Sequence, residues 1–153
     1  MNKFEALEAF LKEAYKGRKY GHRDAYEYHL VGVAELAREK AREANLDPDF
    51  AYALGLAHDV YEDFDLPCLD TCAMLLPNNF DKDRFGWVID EITNKYQTYY
   101  DYIRSIRDEY ALLIKEADLE FNLLQDNAPK LRKYSLYLFA LDYIKMKRIL
   151  TNK

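Results

Sequence analysis

Apolar residues recur along this chain at intervals of three and four from one end to the other, a rhythm that predicts helices almost everywhere. Phe4, Leu7, Phe10, Leu11 and Tyr15 line one face of a first helix, which the stretch Gly17-Arg18-Lys19-Tyr20-Gly21 ends, leaving a basic loop. Asp24 suits the N-cap of a second helix carrying His29, Val33, Leu36 and Ala37, and Asn45-Leu46-Asp47-Pro48 closes it and opens a third. That third helix runs through ALGLAHDVYED at 53–63 and stops between Asp63 and Pro67. Residues 68–76 form a short helix, Pro77-Asn78-Asn79 breaks it, and Phe85, Val88, Ile89 and Ile92 mark another to about Asn94. Tyr99 to Arg107 and Tyr110 to Leu124 read as two helices or one kinked one. Pro129 opens a last helix through Leu131, Tyr134, Leu138, Leu141, Ile144 and Ile149, with Lys145, Lys147 and Arg148 complementing the dipole at its C-terminal end. The expectation is an all-α fold, a compact bundle of about six to eight helices.

Length and composition narrow this picture. A chain of 153 residues, half of them hydrophobic, suits one domain over 1–153 with a genuine core, and no repeat, linker or low-complexity segment divides it. The net charge is −5 and the basic residues are scattered among acids, which argues against a nucleic-acid surface and leaves a small anionic substrate in a local pocket open. No apolar run approaches membrane-spanning length, and the amphipathic N-terminus lacks an uninterrupted apolar core, so no membrane association and a cytoplasmic location are expected. Cys68 and Cys72, four apart, suit a helix face better than a disulfide framework and read as buried thiols.

The chemistry concentrates at His58-Asp59 and Glu62-Asp63. On a continuous helix residues four apart share a face, which would set His58 over Glu62 and Asp59 over Asp63. Imidazole and carboxylate are the mixed N/O donors a first-row divalent ion accepts, and a carboxylate one turn away can orient or deprotonate a water that the ion activates. Four acids crowded near the negative end of a helix dipole are unfavourable alone, and a bound cation would offset them. His29 in YHLVGVAEL and Asp118 in KEADLEFN supply a second imidazole and a third carboxylate inside apolar helical patterns. Taken alone, His29 reads as a core histidine, and Asp118 could pair with Lys115; the combination favours four ligands on three helices: His29, His58, Asp59 and Asp118. Asn122 shares a face with Asp118 and could bind substrate or support a ligand. Arg18 and Lys19 could recognise phosphate or a base, and Lys95 is a weaker phosphate candidate. Tyr96, Tyr99, Tyr100 and Tyr102 look like core and half-buried rim, one of them free to contact a nucleobase.

The order H…HD…D, the HDxxED continuation from His58 to Asp63, and DxxxN at Asp118 and Asn122 resemble the HD-domain phosphohydrolases. Within them the pattern is similar to the (p)ppGpp hydrolase branch of RelA/SpoT type and its small stand-alone relatives, which carry a basic pair where Arg18-Lys19 precedes His29. The resemblance spans roughly residues 10–126 and implies an HD-type helical bundle. It further implies a divalent ion, most plausibly Mn²⁺, on His29, His58, Asp59 and Asp118, with Glu62 and Asp63 as catalytic acids. The implied reaction removes the 3′-diphosphate of guanosine tetra- or pentaphosphate. An HD-type 5′-nucleotidase or related nucleotide phosphohydrolase, and a non-catalytic nucleotide-sensing module, are the alternatives.

Overall fold

The computed structural model describes residues 2–125 and 133–151. Eight α-helices of seven or more residues carry the fold, as the apolar rhythm predicts. They are α1 (Glu5–Ala14), α2 (Val31–Glu43), α3 (Pro48–Ala57), α5 (Leu66–Met74), α6 (Lys82–Glu91), α7 (Tyr99–Ser105), α8 (Glu109–Leu123) and α9 (Tyr134–Thr151), with a single turn α4 (Val60–Asp63) between α3 and α5. Pro129 and Leu131, read as the opening of the last helix, lie outside the described residues.

Aspartates start most of these helices, so much of the acidic excess is capping chemistry. Asp24, Asp47, Asp65, Asp81 and Asp108 each accept a backbone N–H of the first turn through the side chain, and Thr98 does so for α7. Prolines follow within the first turn of α3 and α5, where the missing N–H costs nothing. At the other end of α2, Asn45 takes a left-handed φ of 58°. The Leu46 N–H then reaches the Ala41 carbonyl at 2.9 Å, satisfying an otherwise orphaned acceptor.

Two local features depart from the helical expectation. The basic stretch after α1 forms a small antiparallel hairpin, β1 (Lys19–Tyr20) with β2 (Arg23–Asp24), turning at Gly21, whose φ of 64° suits glycine. The helix that carries His29 begins as a π-helical stretch, Ala25–Leu30, before settling into α2. The third predicted helix is also interrupted: α3 ends at Ala57, and His58-Asp59 make a turn before α4.

The core is built by close approach. Ala34, Ala37 and Ala41 of α2 and Ala51, Ala53 and Ala57 of α3 are all fully buried, and α2 and α3 pack together. At the crossing, a Cβ on Gly55 would sit 2.6 Å from the Ala34 Cα, so glycine is required there. Helix α8 lies on α2, and α9 on α8. The buried Glu116 of α8 ties the three together, receiving Lys40 of α2 at 2.7 Å and Arg148 of α9 at 2.8 Å. Cys72 is buried and Cys68 only half-buried, a correction to the reading of both as buried; both are free thiols. No helix among the described residues is long and apolar enough to cross a membrane.

Candidate metal centre

Three elements meet where α3 stops. The π-helical stretch delivers His29, the α3–α4 turn delivers His58 and Asp59, and α8 delivers Asp118. The ligand atoms of His29, His58 and Asp59 all lie within 4.8 Å of one another. Asp118 falls outside that mutual group, yet its Oδ1 is 3.5 Å from His29 Nε2 and 3.4 Å from His58 Nε2, so both imidazoles face both carboxylates. The corresponding distances to Asp59 Oδ2 are 3.4 and 3.2 Å.

The tautomer of His58 makes this arrangement informative. Its Nδ1 lies 2.7 Å from the Gly55 carbonyl, which can only accept, so Nδ1 carries the proton. In the neutral ring Nε2 then presents a lone pair, buried, without a hydrogen-bond partner among the described residues, toward carboxylate oxygens that also carry lone pairs. Such a contact is stable only if a proton or a cation stands between them. Burial opposes charging His58, but Asp59 and Asp118 outweigh it and hold the ring well above the usual imidazole range. Against the cost of burial, the imidazoles hold Asp59 well below the usual carboxylate range, and Asp118 is lowered chiefly by His58. Separations of 3.2–3.5 Å are also the edges of a coordination shell. With metal–ligand distances of about 2.1 Å such edges run about 3.0–3.4 Å. The donor set therefore fits a divalent ion.

Tyrosines support it. Tyr20 stacks on His29, ring centroids 4.2 Å apart and planes at 8°, while Phe121 meets the same imidazole edge-on. The Tyr20 hydroxyl donates to the Asn122 Oδ1, and the Asn122 Nδ2 donates to Asp118 at 3.3 Å. Both ends of the Asn122 amide are thus engaged, which favours support of Asp118 over contact with a substrate.

Two pockets open from the centre and share Tyr20, His29 and Asp59. One, of about 300 Å³, is walled by Glu62, Asn94, Tyr99, Tyr102, Lys115 and Tyr137. The other, of about 340 Å³, carries Arg18, Lys19, Tyr15 and Asp63. Adjacent positions on α4 point about 100° apart, so the two acids face different pockets. Glu62 faces the first pocket, its carboxyl raised by partial burial and then by Asp59, with Lys115 opposing. Asp63 faces the second, accepts the Tyr15 hydroxyl at 2.7 Å, and is raised chiefly by burial. Arg18 lies over the Phe64 ring at 4.2 Å. Lys95 is not brought to the centre: exposed, it pairs with Asp90 and lies over Tyr61.

Sequence reasoning treated Lys115 only as a partner for Asp118 and did not place Tyr20 or Tyr137 at all. The signal for Lys115 was there, since 115, 118 and 122 follow one face of α8. For Tyr137 no local pattern points to the cavity, because α9 reaches it from far along the chain.

An all-α domain with buried imidazoles and carboxylates converging on one point defines a class of helical metal-centre proteins. The family model HD domain matches residues 26–120, a span that contains His29, His58, Asp59 and Asp118. The chain belongs to the HD domain family, a family of metal-dependent phosphohydrolases. Comparison with curated proteins and with solved structures returned no match.

Proposed function

We propose that this chain is a cytosolic nucleotide phosphohydrolase that removes the 3′-diphosphate of guanosine tetra- and pentaphosphate as pyrophosphate, leaving GDP or GTP. His29, His58, Asp59 and Asp118 would hold Mn²⁺. The observation that carries the phosphohydrolase reading is the buried His58 Nε2, without a hydrogen-bond partner among the described residues, facing Asp59 and Asp118 beside an acid-bearing cavity. The substrate rests on the resemblance of HDxxED, of Asp118 with Asn122, and of the Arg18-Lys19 pair. Its partner is a small molecule, with no nucleic acid or membrane required.

When bound, the ion supplies a Lewis acid that acidifies water and polarises a phosphate oxygen. Glu62 takes a proton from water, and the oxygen attacks phosphorus in line. The P–O bond to the ribose 3′-oxygen breaks, and that oxygen leaves with the bonding pair and takes up a proton. Arg18 and Lys19, in the second pocket, offset the charge of the diphosphate. Asn122 and Tyr20 keep Asp118 and His29 in place throughout.

The test is release of pyrophosphate and orthophosphate, with added Mn²⁺, from ppGpp, pppGpp and nucleoside 5′-monophosphates, comparing the parent with Asp59→Ala. Pyrophosphate from ppGpp, lost in the variant, is expected. Orthophosphate from monophosphates would move the chain to the 5′-nucleotidase reading, and no metal-dependent release from any substrate would leave a nucleotide sensor.

A further inference from the structure

Lys115 is the buried cation in the wall of the acid-bearing cavity, which the exposed Lys133 also lines. Its side chain is 13% exposed, and it shares one face of α8 with Asp118 and Asn122. Its nearest carboxylate is the Asp118 Oδ2, an ion pair at 3.5 Å, the outer limit of a hydrogen bond. Its ammonium lies 5.2 Å from the Tyr102 ring centroid and 5.7 Å from that of Tyr99. Beside it the Tyr99 hydroxyl is buried and has no hydrogen-bond partner among the described residues. The Tyr102 hydroxyl differs, being committed to the Ile92 carbonyl. A lysine this deep, whose one close carboxylate also faces the metal centre, with a vacant hydroxyl donor next to it, suits an anion.

Charge accounting gives the same answer. A divalent ion would balance Asp59 and Asp118, so the charges left facing the cavity are Glu62, the exposed Lys133 at its rim and the buried Lys115. As Glu62 accepts the proton of the attacking water, the negative charge moves onto the phosphoryl group, and Lys115 is the buried wall cation that faces it beside Asp118. Set beside Asp118 and over the Tyr102 ring, it is a positive charge held in place in the cavity wall.

We propose that Lys115 Nζ and the Tyr99 hydroxyl form the subsite that receives the phosphoryl oxygens of the substrate on the Glu62 side of the centre. This rests on the phosphohydrolase reading and deepens it, naming a tetrahedral oxyanion as what the cavity wall takes. Arg18 and Lys19 lie across the centre, so the two basic groups hold different parts of the substrate.

Inorganic phosphate is the probe, titrated into protein loaded with Mn²⁺, with Mn²⁺ affinity measured separately from the electron paramagnetic resonance signal of the free ion. Lys115→Met, close in length and uncharged, should weaken phosphate binding by about 10–100-fold, the worth of a charged hydrogen bond. Tyr99→Phe should lose about 3–10-fold for a neutral one, and Lys115→Arg should retain most of the affinity. Mn²⁺ affinity should stay within about threefold in all of them. A parent that binds no phosphate, or a Lys115→Met protein that binds it equally well, overturns the subsite. So does a Lys115→Met protein that loses Mn²⁺ in proportion and is restored by excess Mn²⁺, because the lysine would then act only by orienting Asp118. Should Lys115→Met fail to fold by its circular dichroism melt, Tyr99→Phe and Lys115→Arg carry the same comparison. Failure of the hydrolase reading looks different: lysine-dependent phosphate binding without turnover of any nucleotide removes that reading and leaves the subsite standing.

Discussion

Glu62 and Asp63 are neighbours in the chain with different surroundings. One step along α4 puts Glu62 in the pocket that Lys115 lines and Asp63 against Tyr15 in the pocket that Arg18 lines. A carboxylate that accepts a tyrosine hydroxyl at 2.7 Å is already partly satisfied and sits on the side of the basic pair. Glu62, with no such hydroxyl bond among the described residues and raised by partial burial and then by Asp59 against the pull of Lys115, is the better proton acceptor near neutral pH. Glu62→Gln is therefore expected to lower kcat by about 10²–10⁴-fold, the usual worth of a general base, with Mn²⁺ affinity unchanged. Asp63→Asn should raise KM and leave most of kcat, because it changes the pocket that holds Arg18. Steady-state kinetics on whichever nucleotide the parent turns over decides this, and equal losses of kcat in the two variants would assign the acids a joint role.

The α2–α3 crossing is the element on which the centre depends. Gly55 lets the two helices approach to backbone contact, and its carbonyl fixes the His58 tautomer at 2.7 Å. Gly55→Ala forces the helices apart, an overpacking worth about 1–3 kcal/mol or more. Because it also moves the His58 acceptor, Mn²⁺ affinity should fall together with the melting temperature. Gly86, inside α6, is the counter-case: a Cβ there meets nothing within 4 Å. Gly86→Ala should stabilise by up to about 1 kcal/mol through helix propensity, leaving Mn²⁺ affinity alone. Thermal melts and metal titrations of the pair test both halves. Elements of this kind were only half legible in the chain. Apolar spacing and the Asp24, Asp47-Pro48 and Asn45 signals located the helices, because capping and periodicity are local physics. The stop after Ala57 was not legible, since ALGLAHDVYED has no Gly or Pro at the break and reads as one helix. The ligand residues could be picked out by type and spacing, while the pockets that Glu62 and Asp63 face are built by residues far away in the chain and could not. The hairpin at Lys19–Asp24 escaped because two-residue strands carry too little alternation to register.

At the scale of the whole molecule the centre is a clasp. His29 comes from the stretch before α2, His58 and Asp59 from the end of α3, and Asp118 from the middle of α8, so one bound ion would join three parts of the core that α2 already holds side by side. A ligand that binds only the folded chain stabilises it by mass action, about 2.7 kcal/mol at a free concentration a hundred times its Kd. For a chain of this size each kcal/mol moves the melting temperature by about 2–4 °C. Removing metal with a chelator should thus lower the melting temperature by roughly 5–10 °C relative to protein saturated with Mn²⁺. Asp59→Ala should abolish the difference and Lys95→Ala, away from the centre, should preserve it. Glu116→Gln supplies a further control: it loosens the tie from α8 to Lys40 and Arg148, lowering stability in both states while the increment on adding Mn²⁺ persists. Differential scanning calorimetry with and without Mn²⁺ reads all of these, and an increment of the same size in Asp59→Ala would place the bound metal at the surface, outside the clasp.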